Sequence, residues 1–241
     1  GPLYILEAIR QTRPGTRFFQ AGSAELFGNA EQVPQSESTP FSPNNPYGFS
    51  KLFAHSATVD YRNRFGVFGV SGLLYNHESP LRGAEFVTRK IAAGMAAMSC
   101  GREEPLEMGN LEAVRDWGYA PDFVEGMWRS LQVSDPDTYI FATGKPCTVR
   151  EFLFLAAHAA GFVLEWRGSG VEEVGFDGRS GKILVRVNPQ FYRPDPGHLR
   201  IGSAARAKEK LGWVAGTCLA ELCGIMVEAE IHRISVMRGG L

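Results

Sequence analysis

The 241 residues carry 25 Lys and Arg against 26 Asp and Glu, a formal net charge of -1, so the overall balance points neither to nucleic acid nor to a polybasic membrane anchor. The length suffices for one large α/β core or for one domain with a smaller lobe. Cys100, Cys147, Cys218 and Cys223 have neither the paired spacing of metal ligands nor the density of a disulfide scaffold. No apolar run reaches the roughly 18 residues of a membrane span, and the first residues lack a basic segment followed by a signal-like apolar core. These features predict a soluble cytoplasmic protein with reduced thiols and no metal site.

Residues 1–15 predict a helix with an apolar stripe of Leu3, Leu6 and Ile9, broken at Pro14 and Gly15. The apolar run 17–21 predicts a buried strand that delivers Ser23 and Glu25 at its carboxyl end, where open α/β sheets carry their chemistry. Residues 30–45, rich in Pro, Ser, Asn and Glu, form a loop. Asn45 then caps a helix that Pro46 begins, placing Tyr47 and Lys51 four residues apart on one face. There the ammonium can stabilise a phenolate, or the phenol can simply pack on the lysine stem. The helix stops near Gly66, and residues 67–74 form the next strand.

Beyond that strand, Asn76, His77 and Glu78 are either a structural hydrogen-bond cluster or groups facing a substrate; one His beside one Glu is not a metal site. Arg89 and Lys90 fall on a helix over 86–99, a basic pair that by itself reads as a solvated face. A short strand over 106–108 precedes GNLEAVRDWG, where Arg115 can fork onto diphosphate oxygens or join a surface ion pair, and Asp116 and Trp117 support a loop. Asp122 is read as the cap of the next helix, with Met127 and Trp128 in the core. Residues 139–142 form a strand ending near Gly144, and Thr148 with Glu151 makes a capping box. The glycine-rich stretch 168–181 contains GSGVEEVG, which lacks the strand-to-helix setting of a dinucleotide fingerprint. A strand over 182–187 and helices over 203–211 and 218–231 complete the chain.

The combination of Ser23, Glu25, Tyr47 and Lys51 resembles the extended short-chain dehydrogenase/reductase family. The strings GSAELFG, NNPYGFSK, LLYNHESPLRG, FVTRKI, GNLEAVRDWG, DFVEGMW, IFATG, TVREF and FYRPD together resemble the GDP-mannose 4,6-dehydratase family, in order from about residue 2 to residue 213. The resemblance implies an α/β fold with a partial Rossmann-like parallel sheet and a smaller mixed substrate-binding lobe. Residues 1–75 would be the remaining part of the Rossmann-like domain with its catalytic segment. Residues 76–241 would be mostly the substrate lobe, with segments returning to the sheet. No glycine-rich turn in a strand-to-helix context precedes residue 17, so the expectation is a chain lacking an amino-terminal cofactor-binding segment.

The same resemblance implies dehydration of GDP-mannose to GDP-4-dehydro-6-deoxy-mannose with NADP as cofactor. Tyr47 would take the 4-hydroxyl proton, Lys51 would stabilise its phenolate and contact the cofactor, and Ser23 would bond the 4-oxygen. Glu25 would act as base at C5 and acid at C6. Asn76, Lys90, Arg115 and Arg193 would contact the nucleotide-sugar. The chain departs from the family pattern after Arg193 and Pro194, where Pro196, His198 and Ser203 occupy usually acidic positions. It also has Ser23 for threonine and Ala24 for serine. Rival readings are a dehydratase or epimerase of another nucleotide-sugar, or an inactive binding or assembly module. Homo-oligomers or association with a full-length dehydratase are the expected partnerships.

Overall fold

The computed structural model describes residues 1–192 and 199–239. Its first elements are α1 (Pro2–Thr12), β1 (Phe18–Ala21), α2 (Pro46–Phe65), β2 (Gly69–Leu74), β3 (Asn76–Glu78) and α3 (Val87–Ser99). Then come β4 (Leu106–Met108), β5 (Val114–Tyr119), α4 (Ala120–Ser130), β6 (Thr138–Phe141), β7 (Pro146–Thr148) and α5 (Val149–Ala159). The last are β8 (Leu164–Arg167), β9 (Val174–Asp177), β10 (Ile183–Val187), α6 (Ala205–Leu211) and α7 (Leu219–Gly239). Among the described residues the contacts define two units, one of residues 1–77, 116–146 and 199–216, the other of residues 78–115, 147–192 and 217–239.

The first unit holds a parallel sheet of order β1, β2, β6, the Rossmann-like sheet expected of the sequence. Every residue of β2 is buried, as a central strand covered on both faces requires, and its GVSGLL run accordingly shows no alternation. Phe141 and Trp213 meet edge to face at 4.9 Å between ring centroids, and the Trp213 indole donates to the Asp122 carbonyl at 2.7 Å. Asp122 is therefore not the cap of α4: the helix begins two residues earlier, after Tyr119, and Asp122 sits in its first turn. Trp128 is likewise not in the core, since it is 61% exposed. The buried face of α4 runs through Phe123, Gly126 and Ser130, and residue 128 lies off that stripe.

The second unit contains a four-stranded mixed sheet of order β4, β10, β9, β8, with β10 parallel to β4 and antiparallel to β9. Helix α3 packs on β4 and α5 on β8, while α7 packs on α3 and α5. Ala92, Gly94 and Ala96 of α3 are buried and Ala93 and Ala97 half-buried, in line with close packing. Thr148 and Glu151 form the reciprocal capping box at the start of α5. A third sheet of short strands has the order β3, β5, β7. Arg115, Asp116 and Trp117 belong to β5 and not to a loop, because this stretch is paired in that sheet.

Candidate functional site

Three short segments of the first unit build the site. Just past the carboxyl end of β1, Ser23 caps a single 3-10 turn over Ala24–Leu26 by accepting a bond from the Glu25 backbone N–H at 3.2 Å. This turn presents the Glu25 side chain. The second segment is the start of α2, where Asn45 Oδ1 accepts from the Gly48 N–H at 2.8 Å and Pro46 occupies the first turn, as the sequence predicts. A Cβ at residue 48 would lie 2.8 Å from the Glu25 carbonyl oxygen, so glycine lets the helix start against the turn that carries Glu25.

Asn45 also does something its sequence signal does not reveal. Its amide Nδ2 donates to Glu25 Oε2 at 2.9 Å, so one asparagine joins the helix start to the carboxylate. From the same helix, Lys51 Nζ donates to the Ala21 carbonyl at 2.9 Å and lies 5.6 Å from the Tyr47 ring centroid. Tyr47 is 53% exposed. The structure thus brings Ser23 and Glu25 together on one turn and Tyr47 and Lys51 together on one helix, with Asn45 linking the two groups.

The third segment is residues 199–203. Buried Gln35 holds it: Nε2 donates to the Leu199 carbonyl at 2.9 Å, Oε1 accepts from the Ile201 N–H at 3.0 Å, and the backbones of Gln35, Ile201 and Ser203 exchange further bonds at 2.8 Å. Gln35 Oε1 also accepts from the Tyr75 hydroxyl at 2.8 Å. A Cβ at Gly202 would fall 2.6 Å from both Ala142 Cβ and the Tyr75 ring. Arg200, in the middle of this segment, donates from Nη1 to Glu25 Oε1 at 2.6 Å. Nothing in the sequence marks this contact, which spans 175 positions.

Asp116, fully buried, is another polar junction of the first unit. Its carboxylate accepts from the Thr143 N–H and hydroxyl at 2.9 and 2.7 Å and from the Gly144 N–H at 2.9 Å. Burial raises its pKa above the usual carboxylate value, while these bonds pull the other way. Asn76 is half-buried and donates to the Asp116 carbonyl at 3.0 Å, so its amide has a structural partner. Its neighbour His77 bonds the Tyr75 carbonyl through Nδ1 at 2.7 Å.

The basic candidates of the second unit are Lys90 and Arg115. Lys90 Nζ sits 4.6 Å from the Phe191 ring centroid and lines a cavity of about 850 Å³ that includes Arg186, Glu107 and Glu230. Burial lowers its pKa, with Glu107 opposing. Arg115 is half-buried and donates to the Val114 carbonyl at 2.6 Å. Arg193 lies outside the described residues. Among the described residues no group of three His, Cys, Asp or Glu could hold a metal ion, and no helix is long and apolar enough to cross a membrane.

The profile of the family described as GDP-mannose 4,6 dehydratase matches residues 1–226. The chain belongs to the GDP-mannose 4,6-dehydratase family. It is 44% identical to the GDP-mannose 4,6-dehydratase of Sinorhizobium fredii (strain HH103), the match covering 99% of this chain and 68% of that protein. Identity to the Yersinia enterocolitica enzyme of the same name is 40%, covering 97% and 66%, and to GDP-mannose 4,6 dehydratase 2 of Caenorhabditis elegans 44%, covering 96% and 61%. The chain therefore spans about two thirds of the length of these relatives. In fold it is similar to RMD from Pseudomonas aeruginosa, solved with NADPH, with a TM-score of 0.82 at 21% identity over 96% of this chain and 72% of that one. It is also similar to dTDP-glucose 4,6-dehydratase from Bacillus anthracis, with a TM-score of 0.78 at 16% identity, covering 97% and 67%.

The donor set suits the reactive end of a nicotinamide dinucleotide. An exposed phenol and a neighbouring ammonium stand at the carboxyl end of a parallel strand, the usual ligand edge of such sheets.

Proposed function

We propose that the chain serves the dehydration of GDP-mannose to GDP-4-dehydro-6-deoxy-mannose, with NADP bound near Tyr47 and Lys51. The observation that carries this reading is the Asn45 bridge, which ties Glu25, an acid–base group, to the helix bearing the Tyr47–Lys51 pair. A simple alcohol dehydrogenase needs the pair alone; a carboxylate tied to the start of the same helix supplies the proton chemistry of water loss.

The bound dinucleotide supplies reversible oxidation at the sugar carbon, first at C4 and later in reverse at C6. Tyr47, as phenolate, accepts the proton of the 4-hydroxyl, and Lys51 lends it positive charge. Ser23 bonds the 4-oxygen, which the ketone leaves partly negative. That ketone acidifies C5–H: Glu25 takes the proton, and the C–H electron pair moves onto the C4 oxygen as an enolate. As the enolate collapses, Glu25 returns the proton to the C6 hydroxyl, which departs as water. A proton delivered back to C5 completes a sequence that is redox-neutral overall. Asn76, Lys90, Arg115 and Arg193 are assigned to the nucleotide-sugar, with Lys90 beside Phe191 as a seat for a flat, electron-rich group. We assign catalysis to the segment within residues 1–75 and substrate contacts largely to residues 76–241, in a cytoplasmic protein that associates with copies of itself.

Incubation of the chain with NADP and GDP-mannose tests this, with formation of the 4-keto-6-deoxy nucleotide-sugar followed by mass and by its carbonyl. Product from GDP-mannose, none from UDP- or dTDP-glucose, and none from Glu25→Gln is the expected pattern. Equal turnover of the other nucleotide-sugars would remove the substrate assignment.

A further inference from the structure

We infer that Arg200 is a positioning residue that holds the Glu25 carboxylate for proton transfer; this rests on the acid–base reading of Glu25 above. The two side chains are 21% and 29% exposed and meet at 2.6 Å, a charge-assisted bond to Oε1, while Asn45 takes Oε2 at 2.9 Å. Two donors from two different segments thus fix the carboxylate plane, and each oxygen keeps lone-pair capacity for a substrate proton. Rotation of the Glu25 side chain would break both bonds at once.

Arg200 is itself mounted firmly. The residues on either side are bonded to Gln35 through their backbones, and Gly202 is pressed against Tyr75 and Ala142. None of those anchoring bonds uses the Arg200 side chain. Its removal should therefore leave the segment in place and be felt at Glu25. At 21% and 29% exposure the pair is only partly screened by solvent, so part of its energy supports folding, and its effect on placement is read at Glu25 itself.

The test uses the full chain and its Arg200→Leu and Arg200→Lys variants, with Arg200→Gln replacing Arg200→Leu should that protein not fold. One measurement is the rate at which a water-soluble carbodiimide modifies Glu25, read by peptide mass spectrometry, which needs neither cofactor nor turnover. The other is exchange of solvent deuterium into C5 of the 4-keto-6-deoxy product, a step that requires a base but no redox chemistry; C3, also beside the ketone, reports the uncatalysed background. Expected are faster modification of Glu25 in Arg200→Leu, a loss of C5 exchange and of kcat of about a hundredfold with KM unchanged, and recovery of most of both in Arg200→Lys. Modification indifferent to residue 200 would overturn the inference. Native C5 exchange that Arg200→Leu leaves intact would overturn the positioning role alone. A native chain that leaves C5 at background would overturn the acid–base reading and the positioning role with it.

Discussion

Both units match arginines to carboxylates, but what else holds the carboxylate differs between the candidate site of the first and the ion pairs of the second. In the first, Glu25 is held by one amide and one guanidinium drawn from segments far apart in the chain, and Tyr47, on the helix that Asn45 caps, is exposed. In the second, as at Arg10–Glu7, Arg64–Asp60 and Arg206–Asp137 of the first, arginines are matched to carboxylates. Arg150 lies between Glu112 and Glu173, Arg82 pairs with Glu78, and Arg89 and Arg233 converge on Glu230. A basic residue in a family string is thus not by itself an available charge. Orientation of a reacting group takes donors of fixed geometry, whereas ion-pair matching steadies a lobe without selecting any atom for chemistry.

Removing the oriented group gives the largest expected effect. Glu25→Gln should lower kcat by at least about a hundredfold, the usual scale of general acid–base catalysis, while thermal melting stays near that of the parent chain. Tyr47→Phe should cost a similar factor, and if it did not, the exposed phenol would lose its role. Next comes Asp116→Ala, which removes the acceptor for Thr143 and Gly144 and should destabilise by about 3 kcal/mol in denaturant titration. A change below about 1 kcal/mol would show that these donors find other partners.

A pH experiment sharpens the comparison inside the first unit. His55 is buried against Ser71, which it meets at 2.8 Å, and burial, aided by Arg62, lowers its pKa from 6.5 to about 4. The unfolded chain takes up the proton below pH 6.5 while the folded chain resists until about 4. Stability therefore falls as pH drops through that window, by about 2 kcal/mol once partial water access is allowed for. His55→Gln should flatten this segment of the stability–pH curve. The smallest effect belongs to the second unit: Lys90→Ala should raise KM for GDP-mannose roughly fivefold, about 1 kcal/mol, and leave kcat unchanged.

What the sequence made legible was local. The Asn45 cap, Pro46, the Tyr47–Lys51 pair, the stop at Gly66 and the Thr148–Glu151 box all depend on neighbours within a turn or two, and each stands as predicted. The strand assignment of 114–119 was missed because its hydrogen bonds come from β3 and β7, elements distant in the chain. Trp128 was misplaced because hydrophobicity alone does not say which side of α4 faces inward. At the candidate site, residue types were readable and their fastening was not: neither Gln35 nor Arg200 carries a pattern, since both act on segments more than 160 positions away.

Asn45 leaves little freedom for replacement. Aspartate would cap α2 as well but turn a carboxylate toward Glu25, and serine would cap it with a side chain too short to carry an amide donor to the same oxygen. Only a short side chain that accepts at one end and donates at the other meets both demands. Screening of all substitutions at this position should find stable proteins in several cases and an undisturbed carboxylate in none but the parent, so that tolerance of folding and tolerance of chemistry part company at a single residue.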